Sequence, residues 1–190
     1  MDLEEANFPL EKQQKVMYDL GKLVRKMHTI KTSGFGPISS NYTGKYRTWK
    51  QFIDTQYKKA FLEAKKNRFL HSSLLNKIEA FYNERIDILG YNDPILFHND
   101  LVYSNIIVKD GKITGIIDAG DCLSGDPLFE FGFMNWYYYK KKVMEHFYKG
   151  YGAIDERKVQ FYTIIDSIPN GPDVEKILEK LIEVITNYIE

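Results

Sequence analysis

Two β-branched runs, Asn105–Lys109 and Lys112–Ile117, flank the pair Asp110-Gly111. An Asp-Gly step in that setting is a strong hairpin signal, because a type I′ turn needs positive φ at both central residues. This hairpin constrains the whole chain, because helical patterns lie on both sides of it. Upstream, Val16, Leu20, Leu23, Val24 and Met27 recur at helical spacing and predict an amphipathic helix over 11–28. Further helices are expected over 46–66 and 72–89. Ser33-Gly34-Phe35-Gly36-Pro37 opens what reads as a plain connecting loop to about Lys45. Ile95-Leu96-Phe97 is an apolar run too short for a helix. Helices return from about Pro127 to the end, with a break at Pro169-Asn170-Gly171-Pro172. The fold class is therefore α+β and mostly helical, one domain over 1–190 around a small β unit.

The hairpin also serves as a ruler. With a two-residue loop Lys109 faces Lys112, Asn105 faces Ile116, and Asp118 lies two residues beyond Ile116 on the same face. Asn105 and Asp118 are then diagonal neighbours about 7–8 Å apart. An amide oxygen and a carboxylate so placed suit a hard cation such as Mg²⁺, whose other positions water or phosphate can fill.

Just upstream stands His98-Asn99-Asp100, with Asn105 five residues after the Asp. His-x-Asp-x-x-x-x-Asn is the spacing of a kinase catalytic loop, in which the Asp takes the proton of an attacking hydroxyl and the Asn reaches a metal. A chain with this His, Asp and Asn content would show it by chance roughly 0.02 times. With Ile116-Ile117-Asp118-Ala119-Gly120-Asp121 and Gly125-Asp126-Pro127, the loop resembles the aminoglycoside phosphotransferase family, which has a protein-kinase-like fold. Leu20-Gly21-Lys22-Leu23…Met27-His28, followed by Gly34-Phe35-Gly36, is similar to the helix after that family's hinge. The resemblance is sharpest over residues 95–132.

The resemblance implies an ATP-dependent (or other nucleoside triphosphate-dependent) kinase acting on the hydroxyl of a small acceptor, an aminoglycoside or similar amino sugar. An aminoglycoside acceptor would imply antibiotic resistance. It makes Asp100 the catalytic acid–base group and places His98 beside it as a member of the loop. Asn105 and Asp118 become the ligands of Mg²⁺. Two residues depart from the pattern: Asn99 stands where Gly is usual, and Glu130 where Asp is usual. The family's N-terminal nucleotide-binding lobe has no counterpart here, since no strand–Gly-loop–strand with a partnered Lys opens the chain. The expectation is a C-terminal lobe alone, its N-terminal lobe missing or on a separate chain, with weak or no activity by itself. The alternatives are a non-catalytic remnant that binds a partner, and a metal-dependent phosphohydrolase built on His98, Asp100 and Asp118.

Other features carry two readings each. Asp121 and Asp126 could meet a cationic substrate, while Asp126 before Pro127 could equally cap a helix. Trp136-Tyr137-Tyr138-Tyr139 and Lys140-Lys141-Lys142 read as core rings and a solvated face rather than a stacking platform. His28 reads as a helix-end cap or packing group. The final segment, with Asp173, Glu175, Glu179 and Glu183 against Lys176 and Lys180, reads as a helix with surface ion pairs.

A formal net charge of zero argues against general nucleic-acid binding, which needs a cation surplus. One cysteine, Cys122, excludes an internal disulfide. No apolar leader and no long apolar window is present, so the expectation is a cytoplasmic protein away from membranes.

Overall fold

The computed structural model describes residues 1–39, 41–68, 70–90 and 93–169. The predicted helices appear with shifted ends: α1 spans Leu10–Met27, α2 Trp49–Asn67, and α3 Ser72–Arg85, followed by a 3₁₀ turn Ile86–Leu89. Thr48 starts α2 by accepting the Gln51 N–H at 3.1 Å, a side-chain cap that fixes the boundary after Tyr46. Past Pro127 the helical stretch is α4 (Phe129–Tyr137), α5 (Met144–Tyr151) and α6 (Glu156–Ser167). Left-handed Lys142 (φ 53°) and Gly152 (φ 108°) break it, and Asp155 caps α6. The predicted final helix and most of its break lie outside the described residues. No described helix is long and apolar enough to cross a membrane.

The plain loop expected over 33–45 is replaced by strands β1 (Phe35–Ile38) and β2 (Gly44–Tyr46). With β3 (Ile95–Phe97), the hairpin strands β4 (Ile106–Lys109) and β5 (Lys112–Ile116), and β6 (Leu123–Gly125), they form two sheets. One has the order β2-β1-β6-β3, with antiparallel neighbours throughout; the other is the hairpin β4-β5. Strands of three or four residues interrupted by Gly and Pro carry no readable alternation, which explains the loop reading.

Two hydrophobic cores meet in this frame. The first gathers Leu3, Val16, Leu20 and Val24 with Leu101, Ile106, Val108, Phe131 and Phe147, so α1, α4 and α5 support the hairpin. α1 and α5 cross backbone to backbone: a Cβ added at Gly21 would lie 2.2 Å from the Phe147 carbonyl oxygen. The second core is richer in rings, which make up about half of its buried residues. Trp49, Phe52, Tyr57, Phe81, Tyr82, Phe97, Phe129 and Phe161 join α2, α3 and α6 to the four-stranded sheet. Leu128 packs against both cores, and α4 and α6 each give residues to both, so the two halves are interlocked.

Candidate active site

The hairpin positions the predicted site with one change of register. Lys109 pairs with Lys112 as expected, but a bulge between Ile107 and Val108 sets Ile106 opposite Ile116. Asn105 therefore does not face Ile116; its carbonyl accepts the Ile117 N–H at 3.0 Å. The extra residue is Thr114, whose hydroxyl donates to the Ile107 carbonyl at 3.3 Å. Asp118 thus directly follows the residue paired with Asn105, instead of lying two positions beyond. It is exposed and left-handed (φ 62°, ψ 59°), and a 3₁₀ turn Ala119–Asp121 follows it.

Asp100 and Asn105 are in direct contact. Asn105 Nδ2 donates to Asp100 Oδ2 at 2.7 Å and to the Asp100 carbonyl at 2.9 Å. Both acceptors demand the NH₂ group on that side, which fixes the amide orientation and leaves Oδ1 turned away. His98 stitches the loop to the strand before Asp118. Its Nδ1 accepts the Asp100 N–H at 3.3 Å, and its Nε2–H donates to the Ile117 carbonyl at 2.9 Å. This network assigns the neutral Nε2–H tautomer, so His98 spends both nitrogens on holding the loop. The Leu101 carbonyl accepts the buried Tyr138 hydroxyl at 2.7 Å, a further anchor from α4.

A second support comes from Glu130, whose contacts cannot be read from periodicity. It is fully buried. Oε1 accepts the Asn99 N–H at 2.6 Å, and Oε2 lies 3.1 Å from His28 Nε2. His28 Nδ1 is in turn 3.0 Å from the Tyr151 hydroxyl. The last residue before Asp100 is thereby tied to the ends of α1 and α5. Asn99 adopts φ 66°, a left-handed conformation that Asn tolerates better than most residues. The two departures from the family pattern, Asn99 and Glu130, are thus the two ends of one hydrogen bond. Only their shared oddity marked them in the sequence.

Asp121 is exposed on the 3₁₀ turn. Asp126 is buried, at 3% exposure, and points inward: its carboxylate accepts the Leu128 N–H at 3.1 Å and the Tyr162 hydroxyl at 2.9 Å, and pairs with Lys158 at 3.0 Å. A substrate would have to displace these partners to reach it. Tyr162 in turn accepts the Trp49 indole N–H at 2.7 Å, so Asp126 ends a polar relay through the aromatic core.

A cleft of about 460 Å³ opens beside Asn99, between α2, α4 and α6. Leu123, Phe129, Phe133 and Trp136 form its apolar wall, and Glu63 and Asp166 add carboxylates. Trp136 Nε1 donates to Asp166 at 3.4 Å, yet burial pushes the Asp166 carboxyl up to about 6. Tyr138 is buried in the hairpin-side core, Trp136 is partly buried against the other core, and Tyr139 is half exposed.

Asn105 and Asp118 are the residues that would hold a metal, although the bulge removes the diagonal pairing on one strand face that the two-residue loop predicted for them. Among the described residues no three His, Cys, Asp or Glu side chains cluster as a metal cage. Two hard oxygen donors fit Mg²⁺, which is held by few protein ligands when phosphates complete its shell.

The phosphotransferase enzyme family model matches residues 2–162. No functionally curated protein matches the sequence. Among solved structures, a thermostable mutant of aminoglycoside phosphotransferase APH(4)-Ia, in ternary complex with AMP-PNP and hygromycin B, superposes with a TM-score of 0.64 at 18% identity, over 94% of this chain and 65% of its own. The gentamicin complex of APH(2")-IIa gives 0.51 at 20% identity, over 96% and 65%. APH(3'')-Id from Streptomyces rimosus ATCC10970 gives 0.55 at 18%, over 84% and 63%. This chain spans just under two thirds of the length of each. These likenesses establish the shared kinase-like fold, and the match over 2–162 establishes that the chain belongs to the phosphotransferase enzyme family.

Proposed function

We propose that this chain is the C-terminal, catalytic lobe of a kinase that transfers the γ-phosphoryl group of ATP, or another nucleoside triphosphate, to a hydroxyl of a small amine-bearing acceptor. The observation that carries this reading is the grip of Asn105 on Asp100: the amide NH₂ donates both to the carboxylate that would serve as base and to the same residue's carbonyl, which leaves the amide oxygen out of that contact. Asp100 accepts the acceptor's hydroxyl proton as that oxygen attacks phosphorus. The bond from phosphorus to the β–γ bridging oxygen breaks, and the diphosphate leaves. Asn105 and Asp118 would hold Mg²⁺, which supplies positive charge to the transferring phosphate. His98 and Glu130 fix the loop so that Asp100 is already oriented, which saves ordering at the moment of reaction.

The acceptor would occupy the cleft beside Asn99. Its rings offer a face to a cation, and its carboxylates offer charge. The similar structures include complexes with hygromycin B and with gentamicin, which supports an amino sugar as acceptor. One of them also holds AMP-PNP, which supports a nucleotide donor. The lobe reading holds that a second lobe clamps the nucleotide, so this chain by itself turns over weakly. The test is γ-³²P transfer from ATP·Mg²⁺ to hygromycin B, gentamicin and related amino alcohols, at high protein concentration. Transfer that falls by at least 100-fold in Asp100→Ala is expected. Unchanged transfer in that variant overturns the role of Asp100, and turnover matching a complete enzyme overturns the lobe reading.

A further inference from the structure

We infer that Asn99 is a specificity-determining residue whose carboxamide binds the acceptor next to Asp100, with Glu130 as the positioning residue that aims it. The inference rests on the cleft being the acceptor site. Three observations lead to it. Asn99 lines the cleft together with Phe133, Trp136 and Asp166, and directly precedes Asp100. Its backbone is left-handed at φ 66°, and its N–H is held by the buried Glu130 at 2.6 Å, so the conformation is locked from behind. Among the described residues no partner takes up its carboxamide, and neither of that group's polar atoms is a buried orphan. The backbone that carries the amide is therefore fixed, and the amide itself is accessible. It can donate to an acceptor oxygen or accept from an ammonium, beside the carboxylate that receives the proton.

The left-handed backbone makes the test unusually clean. Glycine occupies this conformation without strain, so Asn99→Gly removes the side chain and spares the loop. Aspartate also tolerates it, so Asn99→Asp adds a charge at the same point. The experiment titrates ¹⁵N-labelled protein with hygromycin B, gentamicin and ethanolamine, following the Trp136 indole and Asn99 side-chain signals. We expect at least one probe to shift both signals. Asn99→Gly should weaken that probe about three- to tenfold, the worth of one hydrogen bond, with no loss of thermal stability. Asn99→Asp should tighten it, a sign reversal that a merely structural residue would not produce. Glu130→Gln keeps an acceptor oxygen and should bind like wild type. Glu130→Ala should lose about the same factor as Asn99→Gly, with no further loss in the double variant. If a probe shifts Trp136 but binds Asn99→Gly and Asn99→Asp as it binds wild type, the role of Asn99 is overturned while the cleft stands. If no probe shifts Trp136, the cleft is not the acceptor site and this inference falls with it.

Discussion

The two cores of the molecule are built differently. The one beneath the hairpin is largely aliphatic and supports a loop whose parts lie within twenty-one residues, His98 to Asp118. The one behind the cleft is about half aromatic and gathers Trp49, Phe97, Phe129 and Tyr162 from distant segments around a buried relay of indole, phenol, carboxylate and ammonium. Leu128, α4 and α6 join the two cores, and Asn99 of the loop reaches the cleft wall, yet the loop's groups lie close in sequence and those of the wall do not. The two regions can therefore be perturbed one at a time.

Substitutions in each core test that separation. Trp49→Ala should have the largest effect, about 3–5 kcal/mol in urea denaturation, because it empties the centre of the aromatic cluster and leaves Tyr162 without its donor. If the cores are separable, the protection of the Asn105 amide from hydrogen exchange should fall only by the global loss of stability. Glu130→Ala comes next, at about 3 kcal/mol, since it leaves His28 buried without its acid and frees the Asn99 N–H. It should disturb the loop more than Trp49→Ala does, which amide chemical shifts of residues 98–105 would report.

Asp166→Asn should act in the opposite direction. Burial raises the native carboxyl to about 6, so between about pH 4 and 6 the unfolded chain gives up its proton first and stability falls as pH rises. Removing the ionisable group should therefore stabilise the protein by on the order of 1 kcal/mol at pH 7.5 and by less at pH 4. Thermal denaturation at the two pH values checks the sign. Thr48→Ala, which removes the α2 cap at the edge of the aromatic core, should cost about 1 kcal/mol.

The hairpin-side core was the legible one. An Asp-Gly turn and a His-x-Asp-x-x-x-x-Asn spacing are local patterns, and the contact between Asp100 and Asn105 follows from five residues of chain. The register slip at Thr114 was not legible, because a bulge leaves the residue pattern of a strand unchanged. The four-stranded sheet escaped for a related reason: its strands are too short to show alternation, and β1 meets β6 across some ninety residues. Glu130 stood out only as an unusual residue in the family pattern, and Asp166 not at all, because burial and partners are set by how α4 and α6 pack. His28 illustrates the same limit from the other side. A helix-end histidine reads as a cap until packing brings Glu130 to its ring.

In the proposed function Asn105 and Asp118 would hold a divalent cation beside Asp100. Mn²⁺ titrated with AMP-PNP into ¹⁵N-labelled protein tests it directly, through paramagnetic broadening of nearby amides. Broadening should be centred on Asn105, Ile117 and Asp118, and Asp118→Asn should abolish it. Broadening centred elsewhere, or left unchanged by that substitution, would contradict that role for Asn105 and Asp118.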